Sequence, residues 1–209
     1  LAIPTFSLRQ GFADDSGKPA GSAARIAYDL RSEGFGAGVN GPFVVAVKLP
    51  KAGDVAGYSA IVSGLAATEG VASTQPSVDM LPLVAADPAS FGLDGDVAAI
   101  GVIPTTAPQD EGTTALLERL RSQVNPALEQ STGAAIYVGG TQAITSDFTT
   151  VLTDALPIFL AVVIGLGFLA LVLLFRSIVV PLTAAVTSPL SLAAALGITV
   201  AVFQWGWLA

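Results

Sequence analysis

Ala155–Phe175, ALPIFLAVVIGLGFLALVLLF, and Ser177–Ala209, SIVVPLTAAVTSPLSLAAALGITVAVFQWGWLA, carry no charged side chain, and a single Arg176 stands between them. The first stretch, built as an α-helix, rises about 30 Å, the thickness of a bilayer's hydrocarbon core. Two such stretches joined by so short a turn predict an antiparallel pair of membrane-crossing helices, 154–176 and 177–209, the latter range including the outer end of its helix. Everything before Asp154 is mixed, acidic and punctuated by Gly and Pro. The expected organisation is therefore an aqueous domain, residues 5–153, that runs directly into a helical hairpin.

All 16 acidic residues and eight of the nine basic ones precede Ala155. A domain of that sign repels nucleic acid and argues against a phosphate-binding role. Cysteine and histidine are absent, which removes disulfides, Cys/His metal sites, thiol nucleophiles and a Ser–His–Asp arrangement. No enzyme reading has residues to rest on, and no cofactor or metal is expected.

Arg176 is the sole Lys or Arg after Arg121. Positive loops stay in the cytoplasm, so the turn at 175–178 is expected inside and residues 5–153 outside an inner (plasma) membrane. Leu1-Ala2-Ile3-Pro4 reads as the end of a preceding membrane helix, residues 1–4. With no initiator Met, the chain is expected to be a fragment of a longer protein.

Residues 5–20 read as a polar linker. Ser22 can cap a helix whose Ala23, Ile26, Ala27 and Leu30 recur at helical spacing. Pro42–Leu49 (PFVVAVKL) reads as a buried strand. Asp54 caps a helix with Tyr58, Ile61, Val62 and Leu65 on one face, and Gly70 closes it. Val71–Leu81 is a Pro-interrupted strand and Val97–Ile103 a stronger one, with Asp94-Gly95 as a hairpin-type turn signal between them. Asp110 starts a helix carrying Leu116, Leu117, Leu120 and Val124. Asn125-Pro126 should kink or end it, and Gly133 closes the segment. Ala135–Val138 is the last strand, followed by a polar run towards the membrane. The fold class this predicts is α+β, a ferredoxin-like βαββαβ subdomain with both helices on one face of the sheet.

Gly36-x-Gly38-x-x-Gly41 satisfies the dinucleotide fingerprint as a string, but it follows a helix and precedes a strand, the reverse of a phosphate cradle. A tight helix-to-strand turn is the better account. Asp14-Asp15 and Asp94/Asp96 lack the spacing of a calcium loop. Asp154 reads as a helix cap. In the membrane segments Ala161/Gly165 and Ala193/Gly197/Ala201 allow close helix approach. Ser188-Pro189 breaks the backbone ladder, and Thr183, Thr187 and Ser191 form a hydroxyl stripe whose ordinary use is bonding to the preceding turn. No ionisable residue that could mark ion coupling lies inside either span.

Phe175-Arg176-Ser177 with Val180-Pro181-Leu182, and Val200–Trp207, resemble the mycobacterial-membrane-protein-large (MMPL) transporters of the resistance-nodulation-division (RND) superfamily. Tyr28-Asp29-Leu30, Gly34–Pro42, Ile103–Thr106 and Val138–Thr141 extend the likeness over almost the whole chain. The resemblance implies an N-terminal-half fragment: the end of one helix, an extracytoplasmic porter domain and two further helices. It also implies export of lipids or other hydrophobic compounds across the inner membrane of actinobacteria, driven by the proton gradient. The remaining membrane helices and a second porter domain would be its partners. The family's coupling residues, Asp-Tyr pairs on later helices, have no counterpart in this sequence, and the loop Pro82–Asp96 departs from the family pattern. Position alone makes Gly34–Phe43 the expected lining of the porter's apolar cleft, with Phe35, Asn40 and Phe43 as substrate-path candidates. The alternatives are a membrane-anchored extracytoplasmic sensor or scaffold, and an accessory subunit of protein export.

Overall fold

The computed structural model describes residues 14–207. The expected end of a preceding helix at 1–4 and the linker up to residue 13 lie outside the described residues, as do Leu208 and Ala209. The chain divides into two compact units, one ending at Asp147 and the other taking up the chain from Phe148.

In the first unit Ser22 caps helix α1 (Ala23–Phe35), its hydroxyl accepting the Arg25 N–H at 3.3 Å. Strand β1 (Phe43–Lys48) leads to α2 (Val55–Ala66), capped by Asp54, which accepts the Gly57 N–H at 3.2 Å. Then follow β2 (Val71–Gln75), a short α3 (Leu81–Ala86) and β3 (Val97–Pro104). Helices α4 (Glu111–Arg119) and α5 (Asn125–Thr132) are joined by a π-helical turn at Leu120–Val124 and lead to β4 (Ala135–Gly139). Pro126 therefore does not end the helical run, which passes from α4 through the π-helical turn into α5. Gly133, at φ +71°, closes the segment.

The four strands lie in the order β2-β3-β1-β4, every neighbouring pair antiparallel. The fold is thus α+β. One cluster fills the space between the sheet and its helices: Phe43, Val45 and Val47 of β1, Ile100 and Val102 of β3, Tyr58, Ile61, Val62 and Leu65 of α2, and Leu116, Leu117 and Leu120 opposite. Burial of this kind is worth about 1.5–3 kcal/mol per large side chain.

Four expectations need correction. Pro42–Leu49 is buried on one face only: Val44 and Ala46 are exposed, because the helices cover a single side of the sheet. The strand expected over Val71–Leu81 stops at Gln75. Pro76 has no N–H to extend the ladder, and the chain turns through Val78–Met80 into α3. Asp94-Gly95 closes no hairpin; Asp96 and Gly95 carbonyls instead accept the N–H groups of Leu49 and Gly53 in the loop after β1. Helix α6 begins at Thr141 and not near Asp154, so the polar run is helical and Asp154 lies inside it, capping nothing. Ile144, Phe148, Val151 and Leu152 already carried the helical period there.

Helix α1 buries none of its residues. It is held through hydrogen bonds: Asn40 Nδ2 donates to the Ser32 hydroxyl at 2.8 Å and the Tyr28 carbonyl at 3.2 Å, and Arg31 donates to the Val39 carbonyl at 2.9 Å. The glycine string between α1 and β1 is a packing device. A Cβ on Gly38 would stand 1.9 Å from the Pro104 carbonyl oxygen, and one on Gly41 2.6 Å from the Pro108 ring. The turn thus lies flush on the end of β3, which only bare backbone permits. At the other end of the unit, Arg121 donates from both amino groups to the Asp147 carboxylate, one bond at 2.9 Å, and also to the Val138 carbonyl at 3.1 Å. That fork ties the start of α6 to β4 and the helix turn before it.

Gly38→Ala should lower thermal stability in detergent by about 1–3 kcal/mol, the range for overpacking. Gly34→Ala, where an added Cβ meets nothing within 4 Å, should be neutral or stabilising, since α1 gains a better helix former. Equal losses at both positions would show that the Pro104 approach is not the constraint.

Tyr58 is buried, its hydroxyl donating to the Ala99 carbonyl at 3.3 Å, and burial pushes its phenol above the ordinary value. The ionised ring is the penalised form. The contribution of the neutral ring is therefore complete below about pH 10 and is lost as pH rises through the raised folded value. Tyr58→Phe should lose about 1 kcal/mol at neutral pH and show a shallower alkaline decline than the native chain. An unchanged decline would place the alkaline sensitivity elsewhere.

Candidate functional site

The second unit holds most of one long apolar helix, from Phe148 on, and all of another. α6 (Thr141–Phe175) has 35 residues and α7 (Val179–Thr199) has 21, followed by a π-helical turn at Val200–Gln204. Both are long and apolar enough to cross a membrane by length and composition. α6 would extend about 52 Å by helical rise, well beyond the roughly 30 Å of a hydrocarbon core. The apolar part, Ala155–Phe175, matches that thickness by itself.

Only Arg176, Ser177 and Ile178 separate the helices. Arg176 adopts φ +48°, the left-handed conformation that ends helices, and its N–H reaches the Val172 carbonyl at 2.9 Å. That conformation costs a non-glycine residue about 1–2 kcal/mol. In return the cation stands at the negative end of the α6 dipole, where it is favoured.

A groove of ≈ 290 Å³ lies between the helices, with Leu156, Leu160 and Ile164 on one wall and Pro189, Leu192 and Leu196 on the other. Beyond Ile164 and Pro189 a second hollow of ≈ 140 Å³ continues along Phe168, Leu171, Pro181 and Ala185. Early α6 therefore faces late α7, and late α6 faces early α7, so the helices run antiparallel. The residues recur at three and four positions, one stripe per helix. Ser188 supplies the one hydroxyl among the lining side chains. Pro189 removes the N–H that would serve the Ala185 carbonyl, so the ladder is interrupted where the two hollows meet.

The groove can do little besides hold hydrocarbon. No lining side chain ionises, and among the described residues no group of three or more His, Cys, Asp or Glu could hold a metal ion. The hydroxyl stripe is turned at least partly onto its own helix, Thr187 donating to the Thr183 carbonyl at 2.6 Å. The small residues offer room: a Cβ on Gly165 or Gly167 would meet nothing within 4 Å.

The three substrate-path candidates stand in different surroundings. Phe35 is 76% exposed at the end of α1, Phe43 is fully buried in the core, and the Asn40 amide is spent on α1. Of the groove's walls, Pro181, Ser188-Pro189 and Ala193 carry a local signal in the sequence; the leucines do not, because leucines at helical spacing occur all along both helices. Phe43→Ala should cost about 3–5 kcal/mol of stability, whereas Phe35→Ala should leave thermal unfolding unchanged. Comparable melting losses would refute the division of roles.

Comparison with known proteins adds the family. The model of the MMPL family matches residues 23–207. The chain is 32% identical over 208 residues to the membrane protein YdfJ of Bacillus subtilis, covering 99% of this chain and 26% of that protein. It is 27% identical over 208 residues to the mycolic acid-containing lipids exporter MmpL11 of Mycolicibacterium smegmatis, covering 100% of this chain and 21% of the exporter. The heme uptake protein MmpL11 of Mycobacterium tuberculosis is 30% identical over 178 residues, 84% of this chain and 17% of that protein. The chain thus spans about a quarter or less of the length of these relatives. A model matched from α1 to the end of α7, on an α+β unit followed by two long apolar helices, means that the chain belongs to the MMPL family.

Proposed function

We propose that this chain is part of a membrane transporter that moves lipids or other hydrophobic compounds across the inner membrane, powered by the proton gradient. The observation that carries the reading is the family match running through both the sheet unit and the two spans. The relatives' names attach mycolic acid-containing lipids to one protein and heme to another, so we take the cargo class to be hydrophobic compounds in general.

In this reading residues 5–153 are an extracytoplasmic porter domain, 154–176 is a span, and 177–209 is a second span with its outer end. The strand order β2-β3-β1-β4, with α2 and α4–α5 as the two crossovers, supports a ferredoxin-like porter subdomain. Phe35, exposed and apolar, is the side chain in the Gly34–Phe43 segment that we propose to meet substrate. No side chain ionises between Asp154 and Arg176 or from Ser177 to Ala209, so proton coupling would fall to other helices of a longer protein. The unburied apolar window of α6 and the room at Gly165 and Gly167 suit packing against such helices and a second porter domain. Rocking of such a bundle would drive the porter domain.

The chain has no cysteine, so a thiol introduced here is read as the labelling gained over the unsubstituted protein. In intact cells Ser90→Cys should react with an impermeant reagent added outside, and Ser177→Cys should react only after the membrane is opened. In the same cells a protonophore should abolish efflux of a fluorescent lipid. The reversed labelling pattern would overturn the orientation; efflux indifferent to the protonophore would overturn the proton-driven mechanism.

A further inference from the structure

Both tryptophans of the chain, Trp205 and Trp207, stand within three residues at the end of α7. The helix ends there in an unusual way. Over Val200–Gln204 it widens, and the Trp205 N–H reaches the Val200 carbonyl at 3.0 Å. Gly206 then reverses the chain at φ +67°, and the Trp207 N–H turns back to the Ala201 carbonyl at 3.1 Å. The amides of the two tryptophans therefore satisfy two of the carbonyls that a helix end otherwise leaves to water. The reversal also sets the rings: their centroids lie 5.9 Å apart at an interplanar angle of 50°, and they are 46% and 63% exposed.

The position of this pair follows from length. Val179–Thr199 rises about 30 Å, one hydrocarbon thickness. With the Arg176 turn at one surface of a bilayer, the tryptophans come just past the other. No charged side chain stands between Arg176 and the pair. Indole can hold that end: it offers a broad apolar face together with one N–H donor, and this mixture favours the boundary between acyl chains and headgroups.

We infer that Trp205 and Trp207, presented by the Gly206 reversal, are an anchor that binds the lipid headgroup boundary and fixes the depth of α7. The inference rests on the proposed reading of α7 as a membrane span. It adds a specific lipid contact, made by two named side chains, to a helix otherwise held by its apolar length.

Intrinsic fluorescence tests it. The protein is reconstituted in phosphatidylcholine vesicles whose acyl chains are brominated near the glycerol end or near the methyl end. The emission of a Trp205→Phe/Trp207→Phe variant is subtracted, which isolates the pair from any tryptophan elsewhere in a longer protein. The single variants Trp205→Phe and Trp207→Phe give the same difference ring by ring if the double variant does not fold. The expected result is a greater loss of the pair's emission with glycerol-end bromine. A greater loss with methyl-end bromine overturns the anchor, as does no loss with either lipid, which would mean that protein covers the rings. Vesicle flotation separates this from the reading beneath it. Protein that floats but shows methyl-end quenching overturns the anchor alone, whereas protein that does not float with the vesicles overturns the membrane span too.

Discussion

A peptide group stripped of water and left without a partner costs several kcal/mol in hydrocarbon. That constraint governs the last quarter of this chain. The uncharged runs on either side of Arg176 can enter a bilayer only if their own backbone closes every hydrogen bond, and an α-helix does so within a single segment. The exceptions are placed with care. Pro157 and Pro189 interrupt the ladders within the apolar helices, Arg176 ends one helix by taking the left-handed conformation, and Gly206 ends the next. Ala185, whose carbonyl loses its helical partner at Pro189, lines the groove together with that proline, so a neighbouring helix would meet the chain where it is least regular.

The sheet unit obeys a different rule. Water is available to its backbone, so one face of the sheet can stay open while the other is sealed by α2, α4 and α5. The apolar side of β1 and β3 specifies the register, since a slip by one residue would expose Phe43, Val45 and Val47 together. Stability therefore concentrates on one surface of the sheet and in the glycine turn against Pro104. Exposed apolar groups such as Phe35 and Tyr137 add little to it and are free for other work.

Where a single side chain decides local structure, the sequence was readable. Ser22 and Asp54 cap the helices expected of them, Gly133 stops α5, and the reversed context of Gly36–Gly41 already argued against a nucleotide cradle. The two long apolar helices were visible from composition. The start of α6 was missed because Thr, Gln, Ser and Asp favour caps and turns in isolation, while burial of Ala143 against the core and the Arg121–Asp147 fork are tertiary facts. The open face of β1 was hidden because a run of Val and Ala looks the same whether covered on one side or two. The groove's leucines were illegible for a related reason: they share their spacing with every other stripe on the same helices, and only the pairing of α6 with α7 selects them.

The three-residue turn at Arg176 has a consequence for biogenesis. A helix alone in a membrane can be threaded, paused or withdrawn independently of the next. Helices fastened by Arg176, Ser177 and Ile178 cannot: once the first has been released sideways into lipid, the second is already at its edge, with no loop long enough to wait in water. Insertion machinery would therefore meet α6 and α7 as one object. Damage to the turn would be felt as failed delivery of the whole hairpin, before any question of folding or cargo arises.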